Sequence, residues 1–108
     1  MWRVAMQIIA LTYQETRVLP SEERFGLTSQ MQRTAVSMAA NIAEGYGRGG
    51  RQEYIRFLLI ARGAACELET QVLVCRQLQY QIATDEILTQ LKRWYQLMNS
   101  LLKSLRSE

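Results

Sequence analysis

The chain of 108 residues is long enough for one domain and short for two. Hydrophobic residues make up 48% and charged residues 21%, with a single proline, which argues against disorder and leaves ample apolar matter for a core. The formal charge of +3 permits contact with an anionic partner without selecting one.

The first predicted element runs from Trp2 to about Arg17. Trp2, Met6, Ile9 and Tyr13 recur at helical spacing and are read as its core stripe, with Val4, Ile8 and Leu11 widening it. Pro20 ends this helix, because proline lacks an N–H and restricts the residue before it. SEERFG then reads as a short connector. The second helix is expected from Leu27 to about Tyr46, with Leu27, Met31, Ala35, Met38 and Ile42 facing inward. Ala39, Ala40 and Ala43 form a small-residue set beside them that would let a neighbouring backbone come close. Gly45, Gly47, Gly49 and Gly50 are read as the stop, since glycine tolerates the left-handed conformation of helix C-caps.

The third helix is predicted from Arg51 to about Leu78. Its core positions are Leu58, Ala61, Ala65, Leu68, Val72 and Cys75, flanked by Ile55, Leu59, Cys66 and Leu73. Gly63 is read as exchanged for close packing. The fourth helix is the most regular: Ile87, Leu91, Trp94, Met98, Leu101 and Leu105 form one seam, and Leu88, Tyr95 and Leu102 a second. Thr84 is expected to cap it, with Asp85 and Glu86 favouring the positive end of the helix dipole. No strand pattern interrupts the series, so the fold expected is all-α, a single antiparallel up-and-down four-helix bundle spanning residues 1–108. A coiled-coil hairpin completed by other subunits is the competing architecture.

Residue types limit the chemistry. There is no histidine, which removes Ser/His/Asp triads, Cys/His pairs and histidine-containing zinc motifs. Cys66 and Cys75 would stand roughly 13 Å apart along one helix, too far for a disulfide, and are read as buried thiols. No catalytic residue, metal ligand or cofactor is assigned, and a noncatalytic protein is expected. The opening residues lack a secretory-signal pattern and no apolar run is long enough to span a bilayer, so the expectation is a cytoplasmic protein without membrane contact.

Of the 13 basic residues, 11 are arginine, and the positive excess lies in the first half. Arg33, Arg48, Arg51, Arg56 and Arg62 are the candidate nucleic-acid or partner-binding residues. Arg48, Arg51 and the amide end of the third helix could meet phosphates while Tyr46 or Tyr54 stacks on an unpaired base. GYGRGG lacks the lysine and hydroxyl ending of a P-loop and joins two helices, so a nucleotide loop of that kind is not expected. Gln30, Ser37, Asn41 and Glu44 make a polar strip on the second helix. With Glu69 they are the candidate structural polar network, in which Asn41 and Glu44 pair with Arg48, Arg56 or Arg62; solvent exposure is the plainer reading.

RFGLTSQMQRTAVSMAANIAEGYGR at 24–48 and EYIRFLLIARGAACELETQ at 53–71 resemble the four-helix-bundle family encoded within 23S ribosomal RNA intervening sequences, with weaker agreement in MWRVAM at 1–6 and LQY at 78–80. Gln30, Arg33, Ser37, Asn41, Glu44, Gly45 and Arg48 match that family, as do Glu53, Arg56, Phe57, Glu67 and Glu69. The resemblance implies a homo-oligomer, commonly a pentameric ring, with no settled enzymatic activity. The family is also similar to accessory proteins of diversity-generating retroelements, which implies RNA or DNA and a reverse transcriptase as candidate partners. MAAN at 38–41 lacks the proline often found before NIAEG, so a straight second helix is expected. The leading expectation is a homo-oligomeric scaffold or accessory binding module that associates with nucleic acid through arginines. The alternative is a purely protein-interaction or structural module whose arginines are satisfied by glutamates.

Overall fold

The computed structural model describes residues 1–107. Four helices follow one another as α1 (Trp2–Thr16), α2 (Leu27–Gly47), α3 (Arg51–Gln77) and α4 (Thr84–Arg106), with one 3-10 turn, Ser21–Glu23, between the first two. Short connections force each helix to run back along its predecessor. α1 packs on α2 and α4, and α3 packs on α2 and α4, which closes an all-α four-helix bundle 47 Å long.

The α3 stripe is buried as its spacing dictates: Leu58, Ala61, Ala65, Leu68, Val72 and Cys75 are all inaccessible to solvent. α2 contributes Met31, Ala35, Met38, Ala39 and Ile42, and α4 contributes Ile87, Leu91, Trp94, Met98 and Leu102. At the end of α4 the seam passes through Leu102, leaving Leu101 and Leu105 half-buried at its edge.

On α1 the expected core is borne out at Val4 and Ile8, with Ile9 and Leu11 partly buried, but the centre of the stripe is turned away from Trp2, Met6 and Tyr13. The core face is Val4, Ala5, Ile8, Thr12 and Thr16, while Trp2 is 48% exposed, Met6 43% and Tyr13 39%. The threonines disguise this face. Thr16 Oγ donates to the Thr12 carbonyl at 2.8 Å and accepts from Gln32 Nε2 at 3.1 Å, so a hydroxyl is satisfied inside the bundle and helps join α1 to α2.

The glycines divide by role. Gly45 lies within α2, buried against α3: a Cβ there would stand 2.6 Å from Phe57 Cβ and 3.3 Å from the Tyr54 carbonyl oxygen. Backbone approach therefore depends on Gly45, whereas Ala40 and Ala43, expected to face a neighbouring helix, are exposed. Gly49 alone of the four takes a left-handed φ of 85°, just past the Arg48 C-cap. Gly63 faces open space, where an added methyl would meet nothing within 4 Å, so it serves no close contact. Cys75 is buried and Cys66 is exposed, both as free thiols, which corrects the expectation of two buried cysteines.

Carboxylates fasten the opposite end. Glu15 Oε1 accepts the Ala83 N–H at 2.6 Å, immediately before α4. Thr84 is the first residue of that helix and makes no cap to it, which corrects the expected N-cap; the carboxylate from α1 instead holds the residue just before the helix. Glu23 accepts the Tyr80 hydroxyl at 2.8 Å and the Leu27 N–H at 3.3 Å, tying the loop before α4 to the start of α2. That hydrogen bond to Glu23 raises the Tyr80 pKa. α3 ends in a Schellman turn: Tyr80 N–H reaches the Cys75 carbonyl, Gln79 N–H reaches the Arg76 carbonyl, and Gln79 sits at φ 62°.

Three substitutions test this assignment by urea or thermal unfolding. Gly45→Ala should destabilise the fold by about 1–3 kcal/mol, since backbone and Cβ atoms must move apart. Gly63→Ala should stabilise it by about 0.5–1 kcal/mol through helix propensity alone. Gln79→Gly should stabilise it by about 1 kcal/mol by relieving the left-handed conformation.

Candidate functional site

The corner between α2 and α3 is built around Phe57. Because Gly45 admits the ring's Cβ, Phe57 is buried between two guanidinium groups, Arg48 at 5.1 Å and Arg56 at 4.5 Å from its centroid. Each arginine is also held by a carboxylate of its own helix. Arg48 Nη2 lies 3.0 Å from Glu44 Oε1, and Arg56 binds Glu53 through Nε at 2.8 Å and Nη2 at 3.3 Å. The hydrogen bond from Arg56 holds the Glu53 carboxyl below its ordinary range, with the charges of Arg56 and Arg48 acting in the same direction. These pairs are solvent-exposed, so their function is orientation more than stability.

Arg51 stands on the other side of the corner. With Tyr46, Gly49, Gly50 and Tyr54 it lines a cleft of about 420 Å³. The two tyrosine rings meet edge to face at 5.9 Å, and burial raises the Tyr54 pKa, assisted by Tyr46. Gly50, the residue before α3, has no side chain with which to cap the helix. Tyr46 and Tyr54 also border an apolar cleft of about 300 Å³ with Trp2, Ile42 and Ala43.

The strip on α2 breaks into separate contacts. Asn41 Nδ2 donates to the Ser37 carbonyl and to Ser37 Oγ, both at 2.9 Å, and Glu44 is occupied by Arg48. Gln30 and Ser37 border a notch of about 350 Å³ with Arg33, Thr34, Ala64 and Glu67. Glu69 belongs to a different contact, accepting the Tyr95 hydroxyl at 3.5 Å near Cys66 Sγ, and burial first and Cys66 second raise the Tyr95 pKa. Thus Gln30 and Ser37 share a place, Ser37 and Asn41 share a hydrogen bond, and the five residues form no single hydrogen-bonded network.

The arginines are similarly divided. Arg48 and Arg56 flank Phe57, and Arg62 Nη1 donates to Asn99 Oδ1 at 3.1 Å between α3 and α4. Arg33 and Arg51 belong to none of the ion pairs among the described residues, which are Arg48–Glu44, Arg56–Glu53 and Arg76–Asp85. Arg33 and the end of α2 at Gly47 are roughly 21 Å apart along the helix. Of the five candidate arginines, Arg33 and Arg51 are thus outside the ion pairs, one beside the α2–α3 notch and one in the corner cleft.

Two features escape a reading of the sequence. The first is a buried polar contact between α2 and α3: Gln71, 7% exposed, donates from Nε2 to Thr34 Oγ at 3.2 Å and Glu67 Oε1 at 3.4 Å, while its Oε1 has no partner. The second is an apolar outer face. Trp2 shares a cleft with Ala43 and Tyr46 at one end of α1, and Thr16 meets Gln32 at the other. That register runs the exposed stripe Trp2, Met6 and Tyr13 beside the exposed Val36, Ala40 and Ala43 of α2. TAVSMAANIA at 34–43 carries the signal: it has no charged residue, although a helix at the surface of a bundle must turn several of these positions outward.

Among the described residues no three His, Cys, Asp or Glu side chains come together as a metal site requires, and no helix is long and apolar enough to cross a membrane. A crystal structure of a protein of unknown function from the S23 ribosomal protein family of Bacteroides thetaiotaomicron has the same fold, with a TM-score of 0.85 at 22% identity over 94% of this chain and 97% of that one. No curated protein matches the sequence. The model of the 23S rRNA-intervening sequence protein family matches residues 1–105, and the chain belongs to that family.

Proposed function

We propose that the protein is a noncatalytic, self-assembling helical scaffold, and the observation that carries this reading is the apolar outer face of α1 and α2. Trp2, Met6, Tyr13 and Val36 are each between 39% and 48% exposed, beside the small residues Ala40 and Ala43. Apolar side chains scattered singly on a surface need no explanation, but a stripe continuing across two neighbouring helices suits an interface. The small residues permit a second helix to lie close. A ring of five is the assembly implied by the family resemblance. Support for a noncatalytic role comes from the carboxylates flanking the corner, Glu44 and Glu53, which are each engaged with an arginine.

A second reading, association with single-stranded RNA or DNA, is favoured by the corner. Tyr46 is 75% exposed beside Tyr54, and Arg51 lies in the same cleft without an ion pair among the described residues. Aromatic faces that stack on bases next to a cation that meets phosphate are the ordinary elements of such binding. Repetition of the corner around an oligomer would multiply the cation and the aromatic faces. A reverse-transcriptase partner rests on the resemblance to retroelement accessory proteins, and no described surface feature selects it.

Mass measurement in solution tests the scaffold. The native chain should be oligomeric at micromolar concentration, and Ala40→Glu should weaken association by more than about tenfold, because an unpaired carboxylate buried in an interface costs several kcal/mol. A native monomer would overturn the reading. Titration with single-stranded RNA across salt tests the corner: affinity should fall as salt rises, and Arg51→Ala should reduce the logarithmic salt slope by about one. Absence of binding, or affinity indifferent to salt, would remove the nucleic-acid reading.

A further inference from the structure

The notch between α2 and α3 has an unusual electrostatic composition. Arg33 stands at its rim on α2 and Glu67 on α3, yet the two make no ion pair with each other, and neither is in an ion pair with another described residue. Thr34, which also lines the notch, donates from Oγ to the Gln30 carbonyl at 2.7 Å and accepts from the buried Gln71 Nε2, which also donates to Glu67 Oε1 at 3.4 Å.

The charges choose among occupants. A free anion that met Arg33 would face the Glu67 carboxylate in the same notch, and a free cation that met Glu67 would face Arg33. The notch instead suits an arrangement in which Glu67 receives a cation from outside while Arg33 leaves to meet an anion elsewhere. A guanidinium suits the Glu67 carboxylate better than an ammonium, because its planar fork matches a carboxylate's two oxygens. This chain carries such a group at the notch's own rim, on a helix whose outward positions Val36 and Ala40 offer no charge and little bulk to obstruct a neighbour.

We propose that the notch is completed by a second copy of the chain, whose Arg33 pairs with Glu67 of the first while the first copy's Arg33 turns out of the notch. This rests on the scaffold reading and adds what that reading lacks, a polar contact that fixes register. The apolar outer face of α1 and α2 supplies attraction without direction, whereas a cation placed against one carboxylate admits one alignment. Arg33 thereby leaves its own notch, and every notch in a closed assembly is filled by the arginine of a neighbour.

Charge reversal tests the pairing. Arg33→Glu should weaken self-association by at least about tenfold, since two carboxylates then meet in the contact. Glu67→Arg should do the same, and the double variant R33E/E67R should recover association to within a few-fold of the native chain. Glu67 also holds Gln71, so thermal melting of each variant at a concentration where it is monomeric separates lost folding from lost assembly; the exposed Arg33→Glu arm stands even if Glu67→Arg unfolds. A native oligomer whose association is indifferent to Arg33→Glu would overturn this inference and leave the scaffold reading intact. A double variant that folds and remains as weak as the singles would also overturn the pairing. A native chain that is monomeric at micromolar concentration would overturn both.

Discussion

The contact on which the rest of the molecule depends is the backbone approach of α2 to α3 at Gly45. A hydrogen in place of a side chain lets Phe57 Cβ sit where a methyl would be only 2.6 Å away. Phe57 is thereby drawn inward, and Arg48 and Arg56 close over its ring from the two helices. Roughly 16 Å further along α2 the same helix pair is joined by polar groups, Thr34 against Gln71 and Glu67. One end of the helix pair is thus fixed by close packing and the other by hydrogen bonds, two of whose members, Thr34 and Glu67, also line the notch beside Arg33.

Periodicity reveals what packs by area and misses what packs by shape or by hydrogen bonds. The stripes of α2, α3 and α4 are legible because each is a run of apolar residues at three- and four-residue spacing, and α3 is buried at all six central positions of its pattern, while Cys66 and Leu73 on its flanks are exposed. α1 carries two such stripes. The larger side chains, Trp2, Met6 and Tyr13, lie outside, while the buried stripe includes Ala5, Thr12 and Thr16, whose small size suits tight helix packing and whose hydroxyls look polar in a list of letters. Side-chain volume favours the wrong face. The same physical reason explains the glycines: their sequence marks a corner correctly, but only distances show that Gly45 serves contact, Gly49 conformation and Gly63 neither.

The candidate site is legible as residue types and illegible as a surface. Glutamates at helical spacing are available to the corner arginines, and Arg48 and Arg56 take them from their own helices. Arg62 turns instead to Asn99 on α4, a partner 37 positions away that no local pattern could indicate. Arg33 and Arg51 are left for other contacts, one beside the notch and one beside the aromatic cleft. Three surfaces result: an apolar α1–α2 face suited to attraction, a polar notch suited to register, and an aromatic corner that adjoins the apolar face where Tyr46 and Tyr54 meet Trp2 and Ala43. Each would have a distinct role in an assembly whose bundle is closed at its far end by Glu15 and Glu23.

Trp2 gives the most direct test of whether the apolar outer face is the surface that assembles. The chain has two tryptophans; Trp94 is buried in the core and Trp2 is 48% exposed. With Trp94→Phe in place, the remaining indole reports on the face alone, and its fluorescence can be followed with iodide quenching as the protein is diluted. Emission that is blue-shifted and protected at high concentration, then red-shifted and quenchable as the oligomer dissociates, is the expected result. A Trp2 that stays equally quenchable while mass measurement shows the oligomer intact would contradict assembly through this face.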